Sequence, residues 1–184
     1  MRTVAAPERP GLEGSALFLE ISTILGLPAH ALLVHAAVIL VPLAAIALAV
    51  TGWRAEWRKH YSLPVAILAV TGAVFAFLAK ESGEPLEHSV REAARAAGTT
   101  ARFGEHPEQG DTAFFFAMLF GLAAVAYWAV DRYHEKFNWP KQSGLIAYGV
   151  ALIPGALALI TIAIAGHSGA KLVWKDLGSF AVAK

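Results

Sequence analysis

The sequence predicts an all-α integral membrane four-helix bundle built from two helical hairpins. Two observations carry this. Four apolar blocks, at about 29–50, 63–79, 113–130 and 144–165, contain no Asp, Glu, Lys or Arg. The 184-residue chain is 57% hydrophobic and only 16% charged, whereas a soluble domain carries roughly 25% charged residues. Each block is close to the roughly 20 residues that cross a hydrocarbon core, the second and third lying at the short end. A charge at mid-span would cost about 2.5–3.5 kcal/mol on insertion scales. Helices are the reading because open strands leave backbone groups unpaired in lipid.

Residues 1–27 read as an N-terminal tail, with a short interfacial helix expected at Leu17–Leu27. The tail lacks a basic region followed by an apolar stretch and a cleavage site, so it does not read as a signal peptide. The transmembrane domain spans 28–174, and 175–184 form a C-terminal tail. Pro28 and Pro64 are expected in first turns, where a missing N–H costs little. Pro42 and Pro154 fall inside spans and predict kinks. Trp53, Trp57, Tyr61, Trp128, Tyr133 and Trp139 gather around two loops, as interfacial aromatics do.

Those two loops are short and basic. Gly52–Tyr61 holds Arg54, Arg58 and Lys59, and Asp131–Gln142 holds Arg132, Lys136 and Lys141. The positive-inside rule places both in the cytoplasm. The long loop from Lys80 to Asp111 and both termini then lie outside, although Lys171, Lys175 and Lys184 pull mildly the other way. Within the long loop, Glu84-Pro85 reads as a helix start and Gly98 as a stop. Leu86, Val90, Ala93, Ala94 and Ala97 recur at helical spacing between them. A short amphipathic helix lying across the outer ends of the bundle is expected.

The hairpins echo one another. Helices one and three are entered through His30 and His106; helices two and four end in Glu81-Ser82-Gly83 and His167-Ser168-Gly169. Two hairpins of the same orientation amount to a parallel repeat about an axis along the membrane normal. Chance plus the common use of Ser-Gly as a helix terminator gives the same pattern.

Net charge is +1, so nothing points to nucleic acid. With no cysteine, disulfides, thiolate metal sites and all-Cys iron–sulfur clusters are excluded. There is no nucleophile elbow, phosphate loop or His-Glu-x-x-His helix. What remains is a one-sided gathering: the topology brings His30, His35, His106 and His167, with Glu81, Glu84, Glu108 and Asp111, to the outer end. His35 lies inside an apolar run, and an ionisable residue in a span is a functional candidate by default. His167, flanked by Gly166 and Gly169, is its natural partner. His30 and His35 are five residues apart, about 140° around a helix, and do not share a face. Two cofactor readings fit. Two facing histidines hold a b-type haem, or a set from His30, His35, Glu81, His106 and His167 holds a transition metal such as Zn, Cu, Fe or Ni. Against both stands the plain alternative that these groups cap helix ends and meet interfacial water. Ser82 and Ser168 read as caps.

Gly26-Leu27-Pro28-Ala29-His30-Ala31-Leu32-Leu33-Val34-His35 resembles the opening motif of a bacterial family of predicted membrane proteins, domain of unknown function 2231. Ala79-Lys80-Glu81-Ser82-Gly83-Glu84, Glu105-His106 through Gly110-Asp111, and Ala165 through Lys171 resemble its later motifs. Ala31 stands where the family often has proline, and both histidines remain. Relatives joined to Rieske-type iron–sulfur domains imply redox company and favour haem. With no such domain and no Cys here, an electron partner must be a separate protein; a homo-oligomer is the other partner expected.

These observations lead to the expectation of a redox or cofactor-binding protein of a bacterial cytoplasmic membrane, with His35 and His167 as first-choice ligands and His30, His106 and Glu81 behind them. The other expectation is an accessory subunit, or part of an ion or proton path, whose polar cluster is structural. Because the chain has no cysteine, single-cysteine labelling tests the orientation. A membrane-impermeant maleimide added outside intact cells should modify Thr100→Cys and spare Gln142→Cys; the reverse pattern inverts the bundle.

Overall fold

The computed structural model describes residues 23–24 and 27–174. Four helices fill it: α1 (Ala29–Thr51), α2 (Ala55–Ala96), α3 (His106–Tyr133) and α4 (Ser143–Trp174). All four are long and apolar enough to cross a membrane. Before α1, two-residue strands β1 (Thr23–Ile24) and β2 (Leu27–Pro28) pair antiparallel. That pair stands where the end of an interfacial helix was expected; the rest of Leu17–Leu27 lies outside the described residues. Each helix packs on its neighbour in sequence, and α1 closes the ring against α4.

The packing is that of a membrane bundle. Large apolar side chains such as Ile39, Ile46, Ile67, Leu122 and Ile153 face outward, more than half exposed. The interior is mostly alanine and glycine, because small residues let helix backbones approach where lipid supplies no hydrophobic drive. Gly72 shows the constraint: a Cβ there would lie 2.8 Å from Val41 Cγ2 on α1.

The repeat is present in the burial pattern. Seventy-six residues separate His30 from His106, and the same offset carries buried Ala37, Val41, Ala44, Ala45 and Leu48 of α1 onto buried Ala113, Ala117, Phe120, Gly121 and Ala124 of α3. Eighty-six residues separate Ser82 from Ser168. That offset carries buried Ser62, Val65, Ala69, Gly72 and Ala76 of α2 onto buried Tyr148, Ala151, Gly155, Ala158 and Ile162 of α4.

Several sequence expectations need correction. The outer amphipathic segment is no separate helix lying across the bundle. α2 continues through it as one 42-residue helix, about 63 Å long at 1.5 Å per residue, and so stands beyond a core about 30 Å thick. Pro85 does not restart the helix: it removes one bond, to the carbonyl of Glu81, an exposed residue outside the apolar block. Pro64 likewise lies inside α2, because the helix begins at Ala55. The first inner connection therefore shrinks to Gly52–Arg54, with Trp57, Arg58, Lys59 and Tyr61 on the opening turns of α2. Gly98 does end the helix. It has φ +69, its N–H reaches Arg95 O at 3.0 Å, and Thr99 N–H reaches Ala94 O at 2.8 Å, the paired bonds of a Schellman stop.

The end of the bundle with the two short basic connections carries an ion pair that apolar spans gave no reason to expect. Arg58 Nε of α2 meets Asp131 Oδ1 of α3 at 3.0 Å, with side chains 12% and 11% exposed. Arg58 also donates to Gly52 O at 3.2 Å. On the opposite seam, Tyr148 of α4 donates to Ala49 O at 3.1 Å and its ring lies over Gly52. Removing one partner of a largely buried pair strands a charge. Arg58→Ala and Asp131→Ala should each lower stability in detergent by about 3 kcal/mol, and the double variant by clearly less than their sum. Additive losses in chemical denaturation would show that the pair is not coupled.

Candidate functional site

One end of the bundle repeats one joint twice. His30, in the first turn of α1, places Nδ1 2.8 Å from Ala79 O of α2. A carbonyl only accepts, so Nδ1 carries the hydrogen and donates. Ser82 Oγ donates to the same carbonyl at 3.0 Å. Gly83 lies beneath the ring, where a Cβ would be 3.1 Å from both Cε1 and Nδ1.

In the second hairpin, His106 opens α3 and places Nδ1 3.0 Å from Ser168 Oγ of α4. Ser168 Oγ donates to Ala165 O at 3.0 Å. Its one hydrogen is thereby used, so His106 Nδ1–H donates to Oγ. Gly169 lies beneath this ring, where a Cβ would be 2.8 Å from Cε1. Ala79, Ser82 and Gly83 thus correspond to Ala165, Ser168 and Gly169. Neither serine caps a helix and neither Ser-Gly ends one; both lie within continuous helices, and glycine is required because the imidazole occupies the space of a side chain.

Both histidines are held as the Nδ1–H tautomer, which leaves Nε2 as a lone pair. His60 and His134 also bond through Nδ1, to Glu56 O and Asp131 O within their own segments. What distinguishes His30 and His106 is that their acceptors sit on the next helix.

The two residues expected as first ligands lie elsewhere. His35 is exposed, its Nδ1 2.5 Å from Ala31 O of its own helix. The helix phase that turns His30 toward α2 turns His35 away. His167 is exposed on α4, one residue and about 100° from the joint residue Ser168. Glu81 is exposed on α2, and its neighbour Lys80 meets Glu84 at 3.0 Å and Asp111 of α3 at 3.2 Å. Among the described residues, no three His, Cys, Asp or Glu side chains converge to hold a metal ion.

Beside His106 an open cleft of about 640 Å³ lies between the start of α3 and the end of α4. Phe103, Gln109, Lys171, Leu172 and Trp174 line it with His106. Sequence reasoning did not assemble this group because, His106 apart, its members are not metal ligands and Phe103, Leu172 and Trp174 lie outside the motifs.

The joint makes a graded prediction. Gly169→Ala sets a methyl 2.8 Å from His106 and should break the His106–Ser168 bond, lowering the melting temperature more than Gly83→Ala, whose methyl meets His30 at 3.1 Å. Equal or reversed losses in a thermal melt would contradict the geometry.

No curated protein and no solved structure matches the chain. The sequence model of one family does, over residues 26–179. That range holds all four helices and both joints, and the chain belongs to this family, described as predicted membrane protein DUF2231.

Proposed function

We propose that this membrane protein binds a redox cofactor at the outer end of its bundle, with b-type haem as the cofactor and electron transfer to a separate protein or a second copy as its role. One observation carries the reading: His30 and His106 each have Nδ1–H held by the neighbouring helix, so that each imidazole offers a fixed Nε2 lone pair. Orienting bonds of this kind to the second ring nitrogen are what metal-binding histidines use. Donor number then favours haem over a bare Zn, Cu or Fe ion. A structural ion is usually held by four protein ligands, and no group of three is gathered among the described residues. Haem brings four nitrogens of its own and needs only axial groups, and its iron would supply one-electron chemistry. His106 and His30 are the ligands this geometry prepares, in place of His35 and His167. The bundle then sits in a bacterial cytoplasmic membrane with both termini outside.

A second reading rests on the same joints. If the imidazoles serve only to tie helix to helix, the protein is an accessory subunit, or part of an ion or proton path, with a structural polar end.

The absorption spectrum of protein purified from haem-supplemented cells separates the two. The cofactor reading expects a Soret band near one haem per chain, lost in His106→Ala and weakened in His30→Ala, but kept in His35→Ala and His167→Ala. No Soret band, together with no stoichiometric metal on elemental analysis, leaves the scaffold reading.

A further inference from the structure

The end of the bundle opposite the histidine joints has a surplus of positive charge. Residues 52–62 and 131–142 hold six Lys and Arg against three Asp and Glu. Arg58 and Asp131 neutralise one another, which leaves five against two. Among the described residues, Arg54, Lys59 and Arg132 meet no carboxylate, whereas at the other end Lys80 meets Glu84 and Asp111, and Arg91 meets Glu87. The basic end therefore suits an anion that the described residues do not supply.

Arg54 is the best prepared of these cations. Its guanidinium carbon lies 4.8 Å from the ring centre of Trp53 and 5.2 Å from that of Trp57. Contact with aromatic rings limits the side chain's freedom, and a guanidinium stacked on its face keeps its in-plane fork of N–H groups for an anion. The backbone that carries it is held too. Arg58 Nη1 donates to Gly52 O at 3.2 Å and to Trp53 O at 3.4 Å, and Arg58 Nε donates to Asp131 at 3.0 Å. The buried pair thus fixes the connection on which Trp53 and Arg54 stand. It also brings the first turns of α2 beside the last turn of α3, where Arg132 lies 5.8 Å from the ring centre of Tyr133. A fixed guanidinium fork matches two oxygens of a phosphate.

The neighbours of Arg54 decide what kind of phosphate. Trp53 and Trp57 are exposed indoles where apolar helices meet a polar connection, the level of lipid headgroups. Trp57 and Lys59 flank the exposed face of α2. Leu63, Ile67, Val70 and Val74, all exposed, continue that face into the apolar block at helical spacing. Cations thus head a continuous apolar track. Free phosphate matches only the cations; a molecule with a phosphate head and acyl tails matches both.

We infer that this end binds an anionic phospholipid selectively, with its phosphate on Arg54, Lys59 beside the head and an acyl chain along the exposed face of α2. Basic residues at helix ends attract anionic headgroups by about fivefold each. This site uses neither histidine joint, so it stands or falls apart from the cofactor reading.

The test uses the full-length protein in detergent, offered equal amounts of phosphatidylglycerol and phosphatidylcholine with the same acyl chains. Native mass spectrometry should show phosphatidylglycerol retained about fivefold or more over phosphatidylcholine. Arg54→Gln and Lys59→Gln should each lower that ratio severalfold, and Arg95→Gln, a charge removed at the other end of α2, should leave it unchanged. In a thermal melt, phosphatidylglycerol should stabilise the protein and glycerol 3-phosphate, the head without tails, should not. Equal retention of the two lipids, a ratio that survives in Arg54→Gln, an equal fall in Arg95→Gln, or equal stabilisation by glycerol 3-phosphate overturns the proposal.

Discussion

The structure depends on a hydrogen bond made across each hairpin at the same end of the bundle. Inside a bilayer, apolar side chains gain nothing by leaving lipid for one another, so helix register rests on close packing and on the few polar bonds between helices. His30 on Ala79 O and His106 on Ser168 Oγ are those bonds. Each fixes how far one helix stands along the other. Below them, alanine and glycine meet alanine, valine and phenylalanine at the same offsets in both hairpins. Between hairpins, Lys80–Asp111 at the outer end and Arg58–Asp131 at the inner end join α2 to α3. The α1–α4 seam is closed instead by Tyr148 on Ala49 O and by Val38 against Gly166.

The two joints repeat one pattern in different surroundings. The first joint is filled by Ala29 and Leu33 and holds helices together. The second keeps the same bonds but exchanges those residues for Glu105 and Gln109, and opens beside His106. A polar residue placed where its counterpart is buried leucine weakens packing unless something occupies the space. Both joints hold an imidazole already oriented by the neighbouring helix, His30 by Ala79 O and His106 by Ser168 Oγ.

Much of the fold was legible because hydropathy reports depth directly. The four apolar helices follow from it. Helix phase was less legible. His35 was chosen over His30 for lying deeper in an apolar run, yet five residues turn it to the outside of the bundle, and burial decides which of the two meets another helix. Ser82-Gly83 and Ser168-Gly169 looked like helix ends because Ser-Gly often is one; here the glycines make room for a ring. Pro64 and Pro85 suggested helix starts because the first turn tolerates proline, but near the membrane surface water can meet the single carbonyl each frees. Arg58 and Asp131 read as loop charges, since pairing across 73 positions leaves no local pattern.

The central claim is that two imidazoles are fixed as matching tautomers by the neighbouring helix. Nitrogen-15 solid-state NMR of histidine-labelled protein in lipid, assigned with His30→Ala and His106→Ala, reads this directly. The account predicts that both residues carry hydrogen on Nδ1 and a lone pair or a metal on Nε2. Hydrogen on Nε2 with a bare Nδ1 at either residue would contradict the joint and the function built on it.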